Sequence, residues 1–232
     1  MNAALINRLK CAALLAGALL LGACAGGPKP ADWQVEAKGS MDRAVDAYMV
    51  GNSRVEAAEL ARARSQLSRT GRADLLATAE LLHCATRVAS LVFESCGGFE
   101  PLRADATQAQ RAYADYLQGK LHAENVALLP QAQRAAVGGD ASALSAIADP
   151  LSQLVAAGVL LQTSRASPPV VAQAIDTASA QGWRRPLQAW LGLQIKRVEA
   201  SGDTQEAERL RRRMAIAQGE GLGVPQGEKV KR

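Results

Sequence analysis

Aromatic side chains are scarce: Phe, Trp and Tyr make up 3% of 232 residues. This argues against a β-sandwich or barrel, whose sheets are filled by aromatic and β-branched residues. Histidine is scarcer, with only two, His83 and His122. They lie far apart in sequence, and no zinc-ligand spacing can be built from them and the cysteines. Gly-x-Ser-x-Gly, Walker, dinucleotide-binding and His-Glu-x-x-His patterns are absent, which lowers the expectation of an enzyme without removing it. The formal charge of +5 is too small to indicate a nucleic-acid partner, and two of the cations, Arg8 and Lys10, belong to the leader described below. No apolar run reaches the roughly 20 residues of a membrane-spanning helix. What is present is ordinary for a globular chain, 48% hydrophobic and 21% charged, and this excludes disorder of the whole.

The first residues have a definite order. Arg8 and Lys10 form a positive region with no acid, and an apolar run follows from Cys11 to Leu21. It ends in Leu21-Gly22-Ala23-Cys24, which resembles the lipobox of bacterial lipoproteins. The resemblance covers the leader alone. It implies that 1–23 is a signal peptide, that the Cys24 thiol receives diacylglycerol, and that the mature chain begins there with a lipid anchor. Ala25 follows Cys24. In lipoprotein families an Asp at that place tends to retain the protein in the inner membrane, so the resemblance implies the outer membrane. The expected location is therefore lipid-anchored at the outer membrane, facing the periplasm.

Removal of Cys11 with the leader and acylation of Cys24 leave Cys84 and Cys96. In an oxidising periplasm an even pair suggests a disulfide. An unbroken helix would hold the two about 18 Å apart, whereas a disulfide needs Cα atoms within about 7 Å. A bond therefore requires the chain to leave the helix near Ser90 to Phe93, with Cys96-Gly97-Gly98 as a plausible reversal. Two reduced, partly buried thiols are the other reading.

Beyond the leader the pattern is helical. Residues 24–37, with Gly26-Gly27-Pro28-Lys29-Pro30, read as a flexible lipidated tether. Residues 38–218 read as one all-α domain, and 219–232 as a disordered basic tail. Gly51-Asn52, Gly71, Gly138-Gly139-Asp140, Asp149-Pro150, Ser167-Pro168 and Gly202-Asp203 punctuate the helices. The stretch from Arg72 to about Ser90 is apolar on most sides, so it reads as a buried central helix. Its polar residues fall on one narrow line: Glu80, His83, Arg87, Ser90 and Glu94.

A weak internal repeat accompanies this. Gly51-Asn52 precedes Glu56-Ala57-Ala58-Glu59-Leu60, and Gly202-Asp203 precedes Glu206-Ala207-Glu208-Arg209-Leu210. The pair resembles the helix-turn-helix unit of tetratricopeptide repeats, although Arg64 and Ser68 stand where small apolar residues would help the comparison. The resemblance implies a stack of antiparallel helical hairpins with a concave face. An irregular helical bundle gives the same look, so both architectures stay open.

Three groups of residues carry the chemical reading. Glu80, His83 and Arg87 share one line and could form an acid/base site; they could equally be a solvated stripe. Arg209, Arg211, Arg212 and Arg213 form the strongest basic cluster, either a contact for an anionic surface or a solvated helix end. Trp183 and Trp190 share a helix face, as core packing or as an aromatic patch for a partner. Neither a cofactor nor a metal is expected. The resulting expectation is a non-enzymatic lipoprotein whose helical body binds another envelope protein as a scaffold or assembly factor. An envelope enzyme acting on cell-wall or lipid substrates, with Glu80 and His83 in its site, is the alternative. A long apolar groove would favour the first, and a deep pocket converging on Glu80 and His83 the second.

Overall fold

The computed structural model describes residues 29–219, and every regular element among them is helical. The signal peptide, residues 24–28 of the tether including Cys24, and residues 220–232 of the basic tail lie outside the described residues. Ten α-helices follow in order: α1 Asp32–Met49, α2 Ser53–Ser68, α3 Ala73–Ala89, α4 Gln108–Leu117, α5 Gln131–Ala136, α6 Ala141–Ser145, α7 Pro150–Gln162, α8 Pro168–Ala180, α9 Arg184–Ala200 and α10 Thr204–Gln218. Short 3-10 turns at Glu100–Leu102 and Ala123–Leu128 flank α4. No helix among these residues is long and apolar enough to cross a membrane.

The punctuation in the sequence acts through capping. Asn52, Asp149 and Asp203 each accept a backbone N–H from the first turn of the following helix, and Asp140 accepts two. This satisfies donors that a helix start leaves orphaned. The two Gly-Asx turns singled out in the sequence share one geometry. Gly51 has φ +84° and Gly202 +80°, and the next residue caps the following helix. Short connections of this kind make sequential helices antiparallel neighbours, and α1 packs on α2, α8 on α9, and α9 on α10.

α3 is central, as its apolar circumference demands. It contacts α1, α2, α4 and α7. Against α7 the two backbones approach closely, because a Cβ at Gly158 would collide with the Val88 carbonyl oxygen. The interior is built largely from alanine, with Trp190, Tyr48 and Phe99 the bulkiest fully buried side chains. One apolar cluster joins residues from Tyr48 to Leu210; a smaller one lies beneath α1, α2 and α3.

The first helix begins earlier than the sequence predicts. Residues 32–37 belong to α1 and not to an extended tether. The Gln34 side chain accepts the Ala31 N–H at 3.1 Å, and Trp33 and Ala37 pack into the smaller cluster. The apolar partners that recruit them, Leu75, Leu82 and Ala79, come from α3.

α9 closes the bundle. Arg184 donates to the Val50 carbonyl at 2.8 Å and Arg185 to the Tyr48 carbonyl at 2.7 Å. The Trp190 indole N–H donates to the Ala89 carbonyl at 3.0 Å. The Val50 and Ala89 carbonyls at the ends of α1 and α3 thus gain donors from one distant helix, and that of Tyr48, which already accepts the Gly51 N–H, gains a second.

Candidate functional site

Glu80 projects from α3 toward α2 and is 4% exposed. Arg64 of α2 grips both of its carboxylate oxygens, Nε on Oε1 at 2.5 Å and Nη2 on Oε2 at 2.6 Å. A bidentate pair is the strongest arrangement open to a buried carboxylate, and the carboxylate in turn raises the Arg64 pKa above its already high ordinary value. Gly98 closes the other side: a Cβ there would fall on Glu80 Oε2. One turn along α3, His83 Nε2 lies 3.2 Å from Oε1 of Glu56, itself buried. Arg87 stands 3.6 Å from Glu94.

Cys84 and Cys96 are joined by a disulfide with Cα atoms 5.4 Å apart. As the spacing requires, α3 ends at Ala89. The reversal comes earlier than at the glycines: Leu91 takes the left-handed conformation, φ +60°. Gly97 and Gly98 keep ordinary φ, and Gly98 serves by its lack of a side chain against Glu80. The loop, α2 and α3 enclose a recess of about 350 Å³ lined by Arg64, Glu80, His83, Arg87 and Glu94.

The line from Glu80 to Glu94 is only partly solvated. Glu80 and Ser90 are buried, His83 and Arg87 are half-buried, and Glu94 is exposed. Glu80 is paired with Arg64, His83 lies against Glu56, and Arg87 lies 3.6 Å from Glu94. No cluster of three or more metal-ligating side chains occurs among the described residues. Arg64 was legible as an oddity, a cation where a small residue was expected, and its partner 16 residues on explains it.

The tryptophan and arginine readings divide. Trp190 is 0% exposed and bonded to Ala89, so it is core and no partner contact. Trp183 packs half-buried on the same cluster. Arg209 is held by Glu206 and Arg211 by Glu199, each at 2.5 Å. Arg212 is exposed and Arg213 half-buried. At about 100° per residue Arg209, Arg212 and Arg213 share one side of α10 and Arg211 lies across from them, so the four do not form a single face.

Sequence reasoning missed two apolar features. The first is a pair of hollows flanking Thr78 and Leu82 of α3. One, of about 480 Å³, lies between α3 and the α1–α2 hairpin, lined by Trp33, Ala37, Met41, Leu67, Leu75 and Leu82. The other, of about 510 Å³, lies between α3, α4 and Pro130. The second is a group of exposed side chains, Val50, Val55, Val92 and Phe93, each 36–44% exposed. They sit at the end of the bundle where α1 and α3 finish. Arg87, which lies 5.2 Å from the Tyr48 ring centroid and beside Glu94, ties the two loops together there.

No protein-family model, no curated protein and no solved structure matches this chain.

Proposed function

We propose that the protein is a lipoprotein anchored through Cys24 at the outer membrane, facing the periplasm, whose helical body binds another envelope protein without catalysing a reaction. The single observation that carries this reading is the contrast between its two kinds of surface. The buried Glu80 of the central helix is held by Arg64 and His83 lies against Glu56, while Val50, Val55, Val92 and Phe93 stand exposed at one end. That end lies the length of α1, about 27 Å over 18 residues, from the point where the described chain enters the body. Exposed apolar side chains grouped in this way mark interaction surfaces. The disulfide supports an oxidising compartment, and the Leu21-Gly22-Ala23-Cys24 leader supports the anchor. The catalytic alternative finds no support at Glu80, whose oxygens are both held by Arg64 under a glycine lid.

Photo-crosslinking residues placed at Val55 and at Phe93 in intact cells test the reading. The same envelope protein should be captured from both positions and not from Ile216, which is more open to solvent, on α10. Cys24→Ser should give an unprocessed precursor that takes up no labelled fatty acid. Maturation of that variant, or capture from neither position, counts against the proposal.

A further inference from the structure

The hollow between α1, α2 and α3 lies at the opposite end of α1 from the exposed valines. It is bounded by the first half of that helix, Trp33 to Asp42, and by the α2–α3 connection. Its lining is mostly apolar, Trp33, Ala37, Met41, Leu67, Leu75 and Leu82, with Gln34, Lys38, Asp42, Arg72 and Thr78 also on it. The polar atoms at its floor are already bonded within the protein. Thr78 donates to the Asp74 carbonyl, and Gln110 donates to that carbonyl and to Thr78. The rim charges are paired too, Lys38 with Asp42 and Arg72 with Asp74. With its polar groups confined to a few members, most of them paired within the protein, the hollow suits a ligand that is itself mainly apolar.

A second recess opens beside it, sharing Trp33 and Arg72 and lined by Asp32, Glu36, Gln66 and Arg69. Apolar and polar compartments in series match an amphiphile. The polar one carries both signs of charge, which suits an uncharged ester-and-thioether head better than a phosphate. The chain itself enters here, since Asp32 and Trp33 line both the recess and the start of α1. Trp33 stands nine positions after Cys24, a reach of up to about 30 Å.

We propose that this hollow receives an acyl chain of the lipid carried on this chain's own Cys24, so that the anchor folds back onto the body whenever it is out of a bilayer. The proposal rests on the lipidation of Cys24. The short connection makes the encounter intramolecular, at the millimolar effective concentration of a short flexible linker, which no freely diffusing lipid or second copy matches. In a bilayer the same acyl chain is withdrawn, and the hollow is left open on the membrane-facing side.

The test uses the mature lipoprotein from cells fed a photoreactive alkynyl fatty acid, purified as a mixture of isotopically light and heavy copies and freed of detergent. Intact mass first shows whether Cys24 carries acyl chains; if it carries none, the lipoprotein reading falls and this inference with it. With acylation shown, irradiation should join the Cys24 peptide to peptides containing Ala37, Met41, Leu75 or Leu82 within one copy. Leu82→Gln and, separately, Leu75→Gln should abolish those crosslinks while the helical circular-dichroism spectrum is unchanged. Acylated protein without hollow crosslinks, crosslinks that persist in both variants, light–heavy pairs, or hollow peptides carrying only a free lipid would each overturn the inference.

Discussion

Arg64 reaches from α2 to hold both carboxylate oxygens of Glu80, at 2.5 and 2.6 Å, on the buried flank of α3. Glu80 is 4% exposed and has no water to fall back on, whereas Arg64 keeps part of its surface in solvent. The two ends of the pair are therefore unequal. Removing the arginine strands a buried charge, and removing both partners does not.

Arg64→Ala should accordingly lower stability by about 2–4 kcal/mol, less than a fully buried pair would lose because Arg64 is half-exposed. Arg64→Met with Glu80→Leu should recover most of that loss. Urea unfolding of the single and double variants measures both, and equal losses in the two would show that the pair is not coupled as described.

Trp190 offers a second test. Trp190→Phe keeps the buried ring but removes the indole N–H that satisfies the Ala89 carbonyl, a loss of about 1–3 kcal/mol for an orphaned buried acceptor. Trp190→Ala adds a cavity and should cost about 3–5 kcal/mol. Neither should weaken partner capture beyond what the lost folded fraction explains, because the side chain has no surface to offer. Capture that fails in a folded Trp190→Phe protein would contradict this.

Denatured, unreduced protein should present neither Cys84 nor Cys96 to a thiol reagent. Replacing both by Ala should cost about 3 kcal/mol in the chain-entropy description of a loop this short. The damage should also be local. Hydrogen exchange should rise first in the loop from Leu91 to Gly98 and then around Glu80, which that loop covers.

Acid should destabilise the fold from one direction. Glu59 is held below the ordinary glutamate value of 4.5, chiefly by its hydrogen bond from Arg43, with Arg62 adding attraction. Arg103 lowers Glu100, and Arg209 lowers Glu206, by the same cause. A carboxylate whose folded pKa is depressed binds fewer protons folded than unfolded. Its stabilisation is complete above the unfolded value and is lost as pH falls through the folded one. The urea midpoint should therefore hold steady from pH 7 to 5 and decline below about 4.5. Glu59→Gln should be weaker at neutral pH and show a shallower decline, and parallel pH profiles for the two proteins would count against the assignment.

The sequence carried the helices well because their signals are local. Asn52, Asp140, Asp149 and Asp203 each cap the helix that follows, and all four were readable from residue type and position. The pairing of Cys84 with Cys96 was readable only in part: an even pair suggests a bond, and a bond requires a reversal, but reduced thiols fitted the sequence as well, and the structure joins the two. What stayed hidden depends on neighbours distant in sequence. The polar line on α3 has the same spacing whether water or Arg64 meets it, so burial of Glu80 could not be read from α3. The helical state of residues 32–37 depends on Leu75 and Leu82, some 40 residues later. The hollows beside Thr78 are spaces between helices, and no residue pattern encodes them.

The grip of α9 on both α1 and α3 bears on when the chain can fold. Arg184, Arg185 and Trp190 supply donors to helix ends that were made more than a hundred residues earlier. Until they arrive, the ends of the first hairpin and of the central helix lack those partners, and Tyr48 and Ala89 lack their cover. A chain emerging from its N-terminus, whether from the ribosome or from a translocation channel, thus reaches its stable packing only near the end of delivery. Truncation before Trp190 should leave a collapsed helical intermediate.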